Sequence, residues 1–258
     1  MIKKDFEYIY GPVYSWRLGS SLGIDPISQE DKICSFDCIY CQIGKTKVLS
    51  CQRQIYVSVD KVIEEINKLP PVEFDYITFA GRGEPTLAKN LGDMIKEVKA
   101  LNVAKTAVLT NSSLMYMEDL RKELLLADFV ILKLDAGSQK MLEKINQPVK
   151  EISFNMILDG IKRFKSEYKG KLALQVMFMQ ENKDDAENIA KIAREISPDE
   201  VQINTPLRSC AVKSLTKDQL QEIKKYFKGL KTITVYEVDK KEVKSISKDK
   251  TLIRRGKI

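Results

Sequence analysis

Three of the chain's five cysteines, Cys34, Cys38 and Cys41, fall within the eleven-residue stretch CSFDCIYCQIG at 34–44, spaced C-x3-C-x2-C. Thiolates so close in sequence can hold one soft metal centre. A 4Fe–4S cluster normally takes four cysteines, so a three-cysteine loop leaves one iron open to a substrate or cofactor. Zinc is the competing occupant. It prefers four ligands, commonly cysteine and histidine in paired clusters. The chain has no histidine and no second C-x-x-C, although Cys51 stands ten residues on as a conceivable fourth ligand. A disulfide framework does not suit a chain of this length with an odd cysteine count.

The missing histidine also excludes a Ser-His-Asp triad and a histidine general base. Catalysis must therefore come from carboxylates, lysines, cysteines, tyrosines or a cofactor.

A second unusual stretch, GRGEP at 81–85, follows a predicted strand at 74–80. Gly81 and Gly83 let backbone approach a neighbour closely, and Glu84 adds a carboxylate; taken alone, a structural turn explains them as well. The stretch TNSS at 110–113 ends the next strand, with Thr110, Asn111 and Ser112 as hydrogen-bonding groups or an ordinary helix cap. Lys133 and Asp135 alternate along a strand at 129–134, so they share one face, with Leu132 and Leu134 on the other. They are a site pair or an internal salt bridge. Gln175, Met177 and Met179 line one face of a strand at 172–179, as site residues or as core. A later strand at 201–203 leads into Asn204 and then Arg208, whose guanidinium could fork onto a carboxylate or phosphate. Cys210 is either a reactive thiol, a further cluster ligand or a plain small residue.

The cysteine loop, with Tyr40 before its last cysteine, and the GxGEP element resemble the radical S-adenosylmethionine (radical SAM) enzymes. The resemblance implies a 4Fe–4S cluster on Cys34, Cys38 and Cys41. SAM would chelate the open iron, with Tyr40, Gly81, Gly83, Glu84, Thr110, Asn111, Ser112, Asp135, Met177 and Asn204 around it. It further implies reductive cleavage of SAM to a 5′-deoxyadenosyl radical that abstracts hydrogen from a substrate, and an electron donor of flavodoxin or ferredoxin type. The residues that would act on that substrate are candidates only: Lys133, Asp135, Arg208 and Cys210. The stretch from Gly11 to Asp25 and the NTPLR run at 204–208 further resemble a wybutosine-biosynthesis-like, tRNA-modification-related subgroup. Trp16 stands where that pattern usually has arginine, Ser209-Cys210 replaces its proline, and residues 1–33 contain no cysteine. This resemblance makes an RNA base one expected substrate. A small molecule or a protein side chain is the alternative, and a non-catalytic iron–sulfur or zinc protein is the third.

The elements that must position these residues alternate. Helical periodicity from 58 to 69, around 91–101, at 117–126, 152–168 and 186–196, and after a capping-box pair Thr216/Gln219, separates the strands just named from others at 52–57, 106–109 and 232–238. Such alternation predicts an α/β fold, a partial (β/α)6-type TIM barrel, with the motifs at the C-terminal strand ends where barrel chemistry sits. The expected organisation is one domain over 1–239, with an irregular opening segment at 1–30 carrying Trp16 and Arg17 as cover or barrel-floor plug. A basic tail follows at 240–258 as an anion-binding arm or a solvated end.

Charge is modest, 43 Lys plus Arg against 36 Asp plus Glu, which permits an anionic partner such as RNA without requiring one. No signal peptide is read at Met1, and no apolar run approaches the roughly 18 residues of a membrane span. A cytoplasmic monomer is expected.

Overall fold

The computed structural model describes residues 6–238 and 243–255. Its strands are β1 (Ile9–Ser15), β2 (Gly19–Ile24), β3 (Ile33–Cys34), β4 (Val48–Leu49), β5 (Tyr76–Phe79), β6 (Lys105–Thr110), β7 (Phe129–Lys133), β8 (Lys171–Met177), β9 (Glu200–Asn204) and β10 (Thr232–Thr234). Its helices are α1 (Val59–Asn67), α2 (Leu91–Ala100), α3 (Glu118–Leu124), α4 (Gln139–Ile145), α5 (Phe154–Glu167), α6 (Ala186–Ile196), α7 (Lys217–Tyr226) and α8 (Lys248–Arg255). None is long and apolar enough to cross a membrane.

Eight strands form one curled sheet in the order β1-β2-β5-β6-β7-β8-β9-β10, parallel throughout except for the β1–β2 hairpin. Helices connect consecutive parallel strands, as parallel pairing demands. This is the expected partial barrel. Alternation along each strand divides its side chains between two environments. Val108, Val130, Leu132, Leu172 and Leu174 enter the main core with Met94, Ile95, Leu120, Ile161 and Ala190 from the helices. Ala107, Phe129, Ile131 and Ala173 face inward, where Leu18 closes over them.

Several expectations are corrected. The opening segment is not irregular: residues 9–24 form the hairpin whose β2 extends the sheet onto β5. Its glycines and prolines hide the strand pattern, yet Gly23 is what lets the Tyr10 ring lie across β2, since a Cβ there would fall 2.1 Å from the ring. The inward plug is Leu18 rather than Trp16 or Arg17. Residues 52–57 are extended but unlike a strand touch only one bridge, Gln54 to Ala88. The last strand ends at Thr234, where Glu237 turns back to accept from its backbone N–H at 2.8 Å. Helix α4 escapes the periodicity because seven residues with two buried side chains, Leu142 and Ile145, give it too little to work on. The Thr216/Gln219 capping box forms as expected.

The basic tail is neither a free arm nor a solvated end over its described part. Ser245 Oγ donates to the Gly11 carbonyl at 2.8 Å, and Gly11 N–H donates to Thr251 at 3.1 Å. Arg254 reaches Asp25 at 3.1 Å with both side chains buried. Helix α8 thus covers the β1 edge of the sheet, an edge that would otherwise invite pairing. Lys240, Lys241, Glu242 and Lys257 lie outside the described residues.

One packing contact sets the depth at which α5 sits. A Cβ on Gly160 would meet the Met115 carbonyl carbon at 2.3 Å and Tyr116 nitrogen at 2.5 Å, backbone atoms that cannot rotate away. Gly160→Ala is expected to destabilise the fold by about 1–3 kcal/mol, as overpacking does, read as a lowered urea midpoint with an unchanged slope.

Candidate active site

The cysteine loop leaves β3 at Cys34 and turns twice, with Cys41 N–H bonded to the Cys38 carbonyl at 3.0 Å and Gly44 N–H to the Cys41 carbonyl at 3.1 Å. It has no regular structure of its own, so it is held by its neighbours. Each thiol is free and faces a nitrogen donor. Lys32 Nζ lies 3.1 Å from Cys41 Sγ, Asn146 Nδ2 3.4 Å from Cys38 Sγ, and Asn111 Nδ2 3.7 Å from Cys34 Sγ. Burial pushes the Cys34 thiol far above its ordinary range, with Glu84 adding to it, and burial raises Cys38 to about 11. Thiols held neutral by burial yet supplied with N–H donors suit ligation by a positive centre, which would draw off their protons.

The donor set is a soft one, and hydrogen bonds to its sulfurs are among the features that tune iron–sulfur centres. A lone zinc would gather four ligands at sulfur distances near ~2.3 Å. Among the described residues no group of three or more cysteine or acidic side chains is arranged round a single ion. Cys51 lines a separate pocket with Tyr116 and Arg53, whereas Cys210 shares an open cleft of ≈ 400 Å³ with Cys38, Cys41, Gly44 and Gln147. Of the two remaining thiols, Cys210 shares the cleft lined by Cys38 and Cys41, whereas Cys51 follows the strand paired beside Cys34 and lines the other pocket. Cys210 Sγ donates to the Val212 carbonyl at 3.3 Å.

The GRGEP turn packs directly on this loop. A Cβ at Gly83 would sit 1.8 Å from the Ile33 carbonyl, and one at Gly81 2.1 Å from the Asp25 carboxyl carbon. The close approaches these glycines permit are thus to the chain itself. Glu84 is 2% exposed. Its Oε1 accepts from Thr86 N–H at 3.1 Å, Thr86 Oγ1 at 2.6 Å and Thr110 Oγ1 at 2.6 Å, while Oε2 accepts from Asn111 N–H at 2.7 Å. The carboxylate ties the ends of β5 and β6 together and fixes Asn111, which in turn bonds Ser35 Oγ at 2.9 Å. Ser112 takes a left-handed φ of 69°, and its buried Oγ has no partner among the described residues. A side-chain oxygen set there at a backbone cost invites a ligand's donor.

On the other side, Asp135 Oδ1 accepts from Met177 N–H at 2.8 Å. Its Oδ2 accepts from Tyr40 O–H and from Asn146 Nδ2, the latter at 2.9 Å. Lys133 Nζ stands 3.6 Å from Asp135 and 4.5 Å over the Tyr40 ring. Lys133 and Asp135 are therefore an ion pair as well as part of the site, and both readings of them hold. Tyr40 packs with Ile145, Met177 and Met179, so the methionine stripe is core that also supports the loop. Burial and the Asp135 charge hold the Tyr40 phenol well above its usual range, so it stays a donor. Gln175 bonds Gln202 across the lumen side at 3.3 Å, and Asn204 Oδ1 accepts from Thr205 N–H at 2.9 Å.

Arg208 is not in the cysteine cleft. It reaches the other way, to the Arg255 carbonyl at 2.7 Å. Sequence reasoning missed Lys32 and Asn146. A lysine two residues before the first cysteine was a readable signal; Asn146 follows the unpredicted α4 and had none.

The clamp at Glu84 has a measurable consequence. Glu84→Ala leaves buried donors on Thr86, Thr110 and Asn111 unpaired and should cost about 3 kcal/mol or more, visible as a large drop in melting temperature and reduced iron retention after reconstitution. Unchanged stability would remove Glu84 from its role as the brace of the loop.

Comparison with known proteins agrees with this geometry. The Radical SAM superfamily profile matches residues 32–193. A UPF0026 protein of Synechocystis sp. is 44% identical over 79% of this chain and 77% of its own, and one of Methanocaldococcus jannaschii is 36% identical over 84% and 68%. A protein of Brachyspira hyodysenteriae named GTPase Obg is 40% identical over 86% of this chain, which spans only 33% of that protein. Among solved structures, Streptococcus suis SuiB bound to S-adenosylmethionine superposes with a TM-score of 0.59 at 12% identity, over 81% of this chain and 50% of SuiB. A radical SAM methyltransferase from Sphaerobacter thermophilus gives 0.55 at 12% identity, over 83% and 66%. These structural likenesses speak for the fold. With the profile spanning more than half its length, the chain belongs to the radical SAM superfamily, whose enzymes use a 4Fe–4S cluster and S-adenosylmethionine, and within it to the UPF0026 proteins.

Proposed function

We propose that this chain cleaves S-adenosylmethionine reductively at a 4Fe–4S cluster held by Cys34, Cys38 and Cys41, and uses the 5′-deoxyadenosyl radical so formed to take a hydrogen atom from a substrate in the barrel. The observation that carries it is the cysteine loop itself: three free thiols, each with its own nitrogen donor, held over the C-terminal ends of β6 and β7. When bound, the cluster and its cofactor supply the one-electron chemistry, with a donor of flavodoxin or ferredoxin type outside the chain.

The chain's own groups position and shield. Lys32, buried, sets a cation beside Cys41 and also bonds the Gly44 carbonyl at 2.8 Å, which fixes the far end of the loop. Asn111 and Asn146 bond sulfurs and are themselves anchored, by Glu84 and Asp135. Ser112, Thr110 and the GRGEP turn lie beside Cys34, where an amino-acid moiety would meet polar groups. Met177 and Tyr40 give an apolar wall that keeps water from a reactive centre. Lys133, above the Tyr40 ring and beside Asp135, is a cation at the loop and would orient the substrate's polar edge.

For the substrate we favour a small molecule over an RNA base. The docking of α8 on β1 takes the described part of the basic tail out of use as a free RNA-binding arm. The subgroup likeness to tRNA-modification enzymes remains the argument for RNA.

Anaerobically reconstituted protein given dithionite and S-adenosylmethionine should release 5′-deoxyadenosine, and Cys38→Ala should abolish it. Intact cofactor with iron-loaded wild type would sink the proposal, and zinc bound in preference to iron would move the loop to the structural reading.

A further inference from the structure

Among the described residues, three arginines, Arg17, Arg208 and Arg255, lie within electrostatic reach of one another with no carboxylate among their charged neighbours. Arg17 follows Trp16 in the β1–β2 turn, Arg208 follows β9, and Arg255 ends α8. Arg208 Nη1 donates to the Arg255 carbonyl at 2.7 Å, joining two of the three. Arg17 lies with its guanidinium carbon 5.2 Å from the Trp16 ring centre, and its Nε is buried with no partner. Among the described residues no carboxylate forms an ion pair with any of the three. Burial first, and then the neighbouring guanidiniums, lower both Arg17 and Arg208 to about 10, and burial lowers Arg255.

The contrast with Arg254 is instructive. It lies one residue before Arg255 on the same helix, yet its charge is answered: it forms an ion pair with Asp25 at 3.1 Å, and its Nη2 bonds the Glu7 carbonyl and Ser28 Oγ. The fold thus gives one arginine of α8 a carboxylate and, among the described residues, leaves the next beside two more cations. Gathering like charges in a desolvated place is costly unless something negative joins them. Arg208 has donors to spare, having used one of five on a carbonyl. The Trp16 ring, 5.2 Å from the Arg17 guanidinium carbon, makes a cation–π contact that restrains the fork.

We propose that Arg17, Arg208 and Arg255 form a binding site for the phosphate or pyrophosphate group of a small substrate. Guanidinium forks match phosphate oxygens in pairs, and three cations suit a multiply charged group better than one carboxylate. The site's place supports this. Arg208 directly precedes Ser209 and Cys210, which line the cleft with Cys38 and Cys41, so the site adjoins the segment that borders the cleft. As a substrate site it rests on the function proposed above.

The test is calorimetric titration of the full-length chain with sodium pyrophosphate, without S-adenosylmethionine or reductant, so that failure here leaves cofactor cleavage standing and failure of cleavage leaves this site standing. Wild type should bind, more weakly as salt rises. Arg208→Gln and Arg17→Gln should each weaken binding by roughly tenfold or more. Without ligand, Arg17→Gln should melt no lower than wild type, because it relieves a repulsion; a merely structural arginine would lose stability when replaced. Arg17→Lys, which keeps the charge and loses the fork, should bind at an intermediate level and guards against misfolding of the Gln variant. No pyrophosphate binding by wild type, or binding indifferent to these substitutions, overturns the site. Citrate binding as tightly overturns the phosphate assignment, and an oligoribonucleotide that binds through the same arginines while pyrophosphate fails to compete overturns the small-molecule one.

Discussion

Beyond Cys34 on β3 the cysteine loop has no helix or strand of its own, and hydrogen bonds from strand ends are what hold its sulfurs in place. Two buried carboxylates do the anchoring. Glu84 takes four donors and sets Asn111; Asp135 takes three and sets Tyr40 and Asn146. Each asparagine then spends its remaining N–H on a thiol. Neither carboxylate is a free acid or base: a buried charge with so many donors is a structural centre, and removing it would leave the donors stranded. The site is therefore rigid through its anions, and its reactive chemistry is left to the sulfurs and what they hold.

The barrel explains why these anchors fall where they do. Parallel strands end on the same side, so residues that end β5, β6, β7 and β8 meet there although they are up to about a hundred positions apart in the chain. Apolar alternates face the helices, while the inward alternates change in character along the strand. Ala107, Ile131 and Ala173 make the closed, apolar floor under Leu18; Gln175 and Gln202 are polar at mid-height; Lys133 and Met177 reach the mouth. Polarity rises toward the chemistry, and the floor is sealed by a residue from the segment that the sequence left as an irregular lead-in.

That gradient shows what a sequence can and cannot disclose. The cysteine spacing, the alternation of Lys133 with Leu132, and the Thr216/Gln219 cap are local facts, and local facts survive into the fold. The parallel strands were legible for the same reason, as short β-branched runs between helical periods. The β1–β2 hairpin was not, because its glycines serve distant partners: Gly23 makes room for Tyr10, and Gly83 for the Ile33 carbonyl. A glycine placed by a contact elsewhere reads in sequence as a loop. Glu84 and Asn146 are the same lesson for side chains. Glu84 was visible, but its role as a clamp depends on Thr110 and Asn111, twenty-six and twenty-seven positions on.

The arginines of α8 carry this reasoning to its end. Arg254 and Arg255 are adjacent and chemically identical, and only the fold distinguishes them. Arg254 meets Asp25, a carboxylate that also receives the Ile27 and Ser28 backbone N–H groups at 3.2 Å each, so its charge belongs to the architecture. Arg255 gives its backbone carbonyl to Arg208, and both lie within electrostatic reach of Arg17. A sequence under selection for stability alone would not keep a buried cation near two others, since neutral replacements are readily available and surplus like charge weakens the compact state. Local features that work against the fold are expected where function requires them. The paired arginine therefore explains how α8 closes the barrel edge, and Arg255, without an ion-pair partner among the described residues, gives its carbonyl to Arg208 beside the segment that lines the cleft.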